Sequence, residues 1–225
     1  MPDFYWIFGP NGSGKSTIVE SITNLEHINV DFILLGLIEK SYPGIITKLK
    51  ENPSEWWIQD TYLTELENNL DKAKEIAKSR INTLIDASLS FSVESNFLPA
   101  SNEEFFLKAI GKKYNIHFIY LVMPSIEACM ERVNKRTAIT GQFVTPDGIK
   151  ERFKKGLQDI NNLLGQNSDI DYVEHVSNIY ILSAESDTEP IDIAHVYKGE
   201  ILRADINKVN EYSLLIPSLA RLISQ

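Results

Sequence analysis

The sequence predicts a three-layer α/β/α fold, a mainly parallel five-stranded sheet between layers of helices, and two observations carry that expectation. Short apolar runs, Phe4–Phe8, Ile28–Asp31, Phe91–Glu94, Ile116–Val122 and Asn178–Leu182, alternate with helical stretches. That is the pattern of parallel strands joined by crossover helices. The first run leads straight into Gly9-Pro10-Asn11-Gly12-Ser13-Gly14-Lys15-Ser16-Thr17, a turn of the form G-x-x-x-x-G-K-S that opens a helix. Open sheets of this kind bind ligands at the carboxyl ends of their strands. Residues at those ends are therefore site candidates by position.

The glycine-rich turn has a mechanism. Its glycines let backbone N–H groups converge on phosphate oxygens, and the helix behind it adds partial positive charge. Lys15 is placed to reach the β- and γ-phosphates, and the Ser16 hydroxyl to hold Mg²⁺. Gly9, Pro10, Asn11, Gly12, Ser13, Gly14, Lys15, Ser16 and Thr17 are thus the candidate binding residues for ATP or GTP, and the fold class narrows to the P-loop NTPases.

The second strand ends in Asp31. A carboxylate at that position can orient a hydroxyl acceptor and take its proton, or it can simply cap the helix beginning at Phe32. Both readings stand on the local sequence. A helical insertion follows over residues 53–86. Within it Tyr62, Leu66, Leu70, Ala73, Ala77, Ile81 and Leu84 recur at three- and four-residue steps and trace one apolar face. Ser54 is its expected N-cap. Trp56-Trp57 fit either a substrate cleft or packing of the insertion.

The third strand ends in Glu94, followed by Ser95-Asn96. An acidic residue beside the phosphate loop orients metal or substrate, and Ser95 and Asn96 offer neutral hydrogen bonds to the same pocket wall. An exposed loop glutamate is the alternative. Ser101-Asn102-Glu103-Glu104 reads as a capping box, and Thr145-Pro146 as an N-cap followed by proline at the first helical position. Between them Arg132 and Arg136 share a helical face, Gly141 breaks the pattern, and Arg152, Lys154 and Lys155 lie on the next helix. Residues 132–156 therefore read as a cationic lid joined by a flexible segment, whose arginines would stabilise charge on a transferring group. A solvated face balanced by Glu127, Glu131 and Glu151 is the competing description. Ser183–Pro190 reads as a loop, and Ile191–Tyr197 with Glu200–Asp205 around Lys198-Gly199 as a C-terminal β-hairpin.

Composition narrows the function. The 225 residues suit a single domain carrying the insertion and lid. The formal net charge of −9 argues against a nucleic-acid partner. The single Cys129 excludes an internal disulfide or a multi-cysteine metal site and reads as a buried structural thiol. His27, His117, His175 and His195 are scattered, without metal-ligand spacing. No apolar run reaches the roughly 18 residues of a membrane span, and the N-terminus has no basic leader. A cytoplasmic location without membrane contact is expected.

Taken together, the loop, Val30-Asp31, Ser92-Val93-Glu94, Arg132-Val133, Arg136, Thr145-Pro146 and Ile149–Phe153 resemble the zeta-toxin-like branch of the P-loop kinases, particularly its small stand-alone members. The resemblance runs from about residue 3 to residue 205. It implies an ATP- and Mg²⁺-dependent phosphotransferase with the first strand central in the sheet, and an antitoxin protein as partner. It assigns the general base to Asp31, substrate contact to Glu94, and the lid arginines to Arg136 and Arg152, with Arg132 beside them. The acceptor in zeta toxins proper is a sugar hydroxyl of UDP-N-acetylglucosamine. Two departures touch the acceptor side: Ser95-Asn96 stand where the family usually has two threonines, and Gly141-Gln142 where it commonly has Gly-His.

The leading expectation is therefore a kinase acting on a hydroxyl-bearing small molecule. A nucleotide-driven ATPase switch is the runner-up. It lacks support from a Leu-Ser-Gly-Gly signature, and Ile119–Pro124 ends without a carboxylate. A non-catalytic binding module is the third, opposed by intact Lys15, Ser16, Asp31 and Glu94.

Overall fold

Strand β1 (Asp3–Phe8) sends Phe4, Trp6 and Phe8 to one face and Ile7 to the other, and all four are buried. A strand apolar on both faces belongs in the middle of a sheet covered on both sides. The computed structural model, which describes residues 1–21, 25–98, 104–165, 175–185 and 190–224, places it there. β1 pairs in parallel with β3 (Phe91–Ser95) and β4 (Asn115–Val122). β3 pairs with β2 (Glu26–Asn29), and β4 with β5 (Val176–Ser183), again in parallel. These are the five parallel strands expected, in the order β2-β3-β1-β4-β5.

The hairpin changes the count. β6 (Ile191–Tyr197) pairs antiparallel with β5, and β7 (Glu200–Ala204) with β6, so the sheet has seven strands rather than five plus a separate hairpin. The edge of β5 would otherwise present unpaired backbone groups, and β6 occupies it.

The helices are α1 (Lys15–Ser21), α2 (Val30–Ser41), α3 (Ile45–Glu51), α4 (Trp56–Asp86), α5 (Glu104–Gly111), α6 (Ile126–Thr140), α7 (Pro146–Leu164), α8 (Ile206–Glu211) and α9 (Pro217–Ile223). They close three apolar clusters. The largest joins the Phe4 face of the sheet to the second half of α4, to α5, and to the end of α7. The second joins Ile7, Ile119 and Leu121 to α1, α6 and the start of α7. The third is wholly helical, built from Leu34 and Ile38 of α2, Ile45 and Leu49 of α3, and Ile58, Tyr62 and Ala73 of α4.

α4 connects the first cluster to the third. At 31 residues it is about 46 Å long. Its start packs on α2 and α3, while Ala77, Ile81, Leu84 and Ile85 pack on the sheet. Ser54 does not cap it. Glu55 holds the N-cap position, with no side-chain hydrogen bond. Trp56 is 75% exposed, the Lys48 ammonium lies 5.7 Å from the Trp57 ring, and neither tryptophan lines the two cavities described below. Thr145 does cap α7: its hydroxyl accepts from the Gly148 N–H at 3.1 Å, with Pro146 at the first turn. Most of the Ser101–Glu104 capping box lies outside the described residues, as does half of the Ser183–Pro190 loop; α5 begins at Glu104.

Candidate active site

The loop between β1 and α1 is shaped by positions that other residues would spoil. Gly12 has φ +81°, and a Cβ there would sit 3.1 Å from the Cys129 carbonyl oxygen and from Arg132 Cβ, so α6 passes directly over the turn. Asn11 and Ser13 are buried. The Lys15 ammonium, 6% exposed, donates to the carbonyls of Gly9 at 2.8 Å and Pro10 at 3.0 Å, and to Asn96 Oδ1 at 3.4 Å. Burial lowers its pKa to about 8, against the opposing pull of Glu94 and Asp31. Cys129 of α6 is buried against the loop, and burial pushes its thiol up to about 12. It remains protonated and is no nucleophile.

The two acidic candidates sit slightly off their expected places. β2 stops at Asn29, and Asp31 lies in the first turn of α2 rather than at the strand end. The cap is Asn29, whose Oδ1 accepts from the N–H groups of Asp31 at 2.8 Å and Phe32 at 3.3 Å. Capping is thus not the work of the Asp31 carboxylate, which lines a small cavity. Glu94 lies one residue inside the end of β3 and is 8% exposed. Its Oε2 accepts from Ser16 Oγ at 3.1 Å and stands 3.6 Å from His27 Nε2. Burial pushes its pKa up, but His27, Lys15 and Ser16 outweigh that and hold it below the ordinary value.

Ser95 and Asn96 part company. The Ser95 hydroxyl donates to the Phe97 carbonyl and accepts from Trp6 Nε1 at 3.0 Å, which closes the turn after β3. It lines neither of the cavities described below. Asn96 Oδ1 faces Lys15 and likewise lines neither cavity.

The lid arginines converge on the loop. Arg152 Nη1 donates to Asn11 Oδ1 at 3.0 Å, and Arg132 Nη1 to the Gly12 carbonyl at 3.3 Å. Arg136 Nε and Nη2 are buried with no hydrogen-bond partner. Burial lowers its pKa, while Asp31 and Glu94 act to raise it. The solvated-face description fits Lys135 and Lys150, which pair with Glu131 and Asp147 at the surface, and not these arginines. The segment between α6 and α7 is packed. Gly141 takes φ +72°, and a Cβ on it would meet Ile46 Cγ2 at 2.6 Å, so α3 fixes the joint expected to be flexible.

Two cavities are lined by these residues. One of about 400 Å³ is lined by the loop from Gly12 to Thr17, Glu94, Arg132, Arg136, Ala184 and Pro190, a volume suited to a small-molecule ligand. The other, about 60 Å³, lies between the insertion and the lid, against Asp31, Tyr62, Leu66, Leu70, Phe143 and Arg152. Leu66 and Leu70, part of the apolar face read in the sequence, are only partly buried and wall this cavity. Tyr62 is one functional candidate that sequence reasoning took as packing alone. Burial and Asp31 drive its phenol well above the ordinary range, so it stays protonated. His27 is another. It stands opposite Ser92, two residues before Glu94 on the neighbouring strand, a non-local pairing that leaves no signal in the sequence.

A strand, glycine-rich loop and helix at the centre of a 2-3-1-4-5 parallel sheet, with cations closing over the loop, define a P-loop kinase fold. Its solved neighbours agree. A chain from the PezAT chromosomal toxin–antitoxin system of Streptococcus pneumoniae is similar with a TM-score of 0.52 at 13% identity, covering 100% of this chain and 88% of that one. Chains from the AvrRxo1-ORF1:AvrRxo1-ORF2 structures with ATP and with sulphate ions give TM-scores of 0.56 and 0.55 at 12% identity. They match over 94% of this chain and 63% of those chains, so it spans less than two thirds of their length. At these identities the likeness is one of fold. No protein-family model and no curated protein sequence matches the chain. Among the described residues no helix is long and apolar enough to cross a membrane.

Proposed function

We propose that this chain is an ATP-dependent phosphotransferase that moves the γ-phosphoryl group to a hydroxyl of a small molecule. One observation carries the reading: Arg152 touches both halves of the site. It donates to Asn11 in the phosphate loop and lines the cavity that holds Asp31. A group bound by the loop and a hydroxyl held at Asp31 would share the same guanidinium.

In this reading Gly9–Thr17 hold the nucleotide, Lys15 reaches its terminal phosphates, and Arg136 and Arg152 neutralise charge as the phosphoryl group transfers. Asp31 orients the acceptor and takes its proton. The residues present fit Mg²⁺, because a serine hydroxyl and a carboxylate held ionised are hard oxygen donors 3.1 Å apart. Among the described residues no cluster of three or more acidic, histidine or cysteine ligands exists. That suits an ion held largely by the nucleotide's phosphates. When bound, it would neutralise charge on the β- and γ-phosphates; Ser16 would hold it, with Glu94 behind.

The acceptor to test first is UDP-N-acetylglucosamine, the sugar nucleotide implied by the sequence resemblance. An antitoxin-like protein partner follows from the same resemblance, and PezAT is itself a toxin–antitoxin system. The net charge of −9 disfavours nucleic acid as substrate.

The test is incubation with ATP, Mg²⁺ and a panel of UDP-sugars and other hydroxyl-bearing metabolites, read by mass spectrometry. One product heavier by a single phosphate, absent with Asp31→Asn, is expected. Steady ATP hydrolysis with no acceptor consumed across the panel would replace this reading with the ATPase switch.

A further inference from the structure

His27 has no part in the roles assigned above, yet it is wedged against them. It lies on β2 beside Ser92 of β3, and its Nδ1 is 3.0 Å from Ser92 Oγ. Its Nε2 is buried with no hydrogen-bond partner. The nearest charged atom is Glu94 Oε2 at 3.6 Å, and that same oxygen accepts the Ser16 hydroxyl at 3.1 Å.

The chemistry of this row selects one tautomer. With the proton on Nδ1, the Nε2 lone pair would face a carboxylate in a buried site, which is repulsive. With the Ser92 hydroxyl donating to Nδ1, the proton sits on Nε2 and points at Glu94. At 3.6 Å the contact is longer than a hydrogen bond, so it acts as an oriented charge–dipole attraction. It aims one oxygen of Glu94 without capturing it, and leaves that oxygen to Ser16.

We propose that His27 is the positioning residue for Glu94: the row Ser92–His27–Glu94–Ser16 sets how tightly the site grips the Mg²⁺ of a bound Mg·ATP. The proposal rests on the nucleotide half of the reading above and needs no acceptor. Outer residues that orient metal-binding groups act in this way elsewhere, and their loss weakens metal affinity about 10–100-fold.

The test is calorimetric titration with ATP, once with excess Mg²⁺ and once with EDTA. His27→Leu keeps the bulk and removes the donor. It should weaken Mg·ATP binding about tenfold and leave metal-free ATP binding unchanged. His27→Gln, whose amide also offers an N–H toward Glu94, should recover most of the loss. Ser92→Ala, which frees the tautomer but leaves the imidazole, should shift binding the same way by a smaller factor. It carries the test alone if His27→Leu fails to fold.

Equal weakening of Mg·ATP and metal-free ATP by these variants would show a merely structural histidine and overturn the proposal, as would wild-type Mg·ATP affinity in all of them. A wild-type protein that binds Mg·ATP but phosphorylates no acceptor would break the kinase reading and leave this result standing.

Discussion

In the proposed reading the site has a phosphate side and an acceptor side, and the two are built on different foundations. The phosphate side hangs from the sheet: Gly9–Thr17 follow β1, Glu94 lies on β3, and Lys15 is held by three oxygens. The acceptor side hangs from α2 and α4, where Asp31 and Leu34 of the first and Tyr62, Leu66 and Leu70 of the second face a cavity of about 60 Å³, far smaller than the 400 Å³ on the phosphate side. A sheet-bound half with a fixed loop can be shared by many enzymes. A half carried on three helices with their own apolar cluster can be reshaped without disturbing the loop. The difference teaches that donor and acceptor recognition are separable in this molecule, and substitutions should sort by side.

The largest effect is expected where the two sides meet. Arg136→Leu should lower phosphoryl transfer about 10³-fold or more, as loss of an arginine finger does. Its environment disfavours its charge, since burial dominates and two of its nitrogens lack partners. Thermal unfolding should therefore show a midpoint that holds or rises, the signature of a strained functional group. A parallel fall in activity and midpoint would mark Arg136 as structural and blur the boundary between the two sides.

Asp31→Asn tests the acceptor side alone. Acceptor-dependent turnover should fall about 10²–10⁴-fold, while the Kd for ATP changes less than about twofold. Turnover near wild type removes Asp31 as the base. A large loss of ATP affinity would show that the sides are coupled.

Lys15 tests the phosphate side alone, through protons. Its folded pKa of about 8 lies below the ordinary 10.5, so between those values the unfolded chain binds more protons than the folded one. Stability from this group therefore rises with pH across that window, and below pH 8 the buried charge is a net burden of up to about 3 kcal/mol. Lys15→Met should stabilise the ligand-free protein near pH 7, with the advantage fading toward pH 10.5 in denaturant melts. ATP phosphates should restore the ammonium. Binding near pH 8.5 should then take up protons, seen as a buffer-dependent binding enthalpy that Lys15→Met abolishes.

The same division governs what the sequence could tell. The phosphate side was legible because a glycine-rich loop leaves a fixed spacing; the central place of the first strand was an expectation of the family resemblance. The hairpin was legible as a local unit, but its pairing with β5 is a non-local contact and was not. Acceptor-side details were hidden for a different reason. Helical periodicity marks Tyr62, Leu66 and Leu70 as one face, yet cannot say whether that face meets a core or a cavity. Ser95 and Asn96 look alike in sequence, and only the turn closed on Phe97 separates them. Trp6 Nε1 claims the first, and Lys15 the second.

The smallest effect expected is also the finest probe of how the acceptor side is held. Asn29 ends β2 in the sheet, and its side chain caps α2, so it is the joint through which the sheet positions Asp31. Asn29→Ala should cost about 1 kcal/mol of stability, as loss of an N-cap does. Thr145→Ala should cost about the same at the start of α7. Equal stability losses with unequal kinetics are the point of the pair. Asn29→Ala loosens the turn that carries the base and should lower turnover several-fold with KM for ATP unchanged. Thr145→Ala loosens a helix whose Arg152 is still tied to Asn11 and should leave turnover nearly intact. Asn29→Ser, which restores a capping oxygen, should recover both stability and rate. Equal kinetic losses in the two alanine variants would mean that general softening, and not the placement of Asp31, sets the rate.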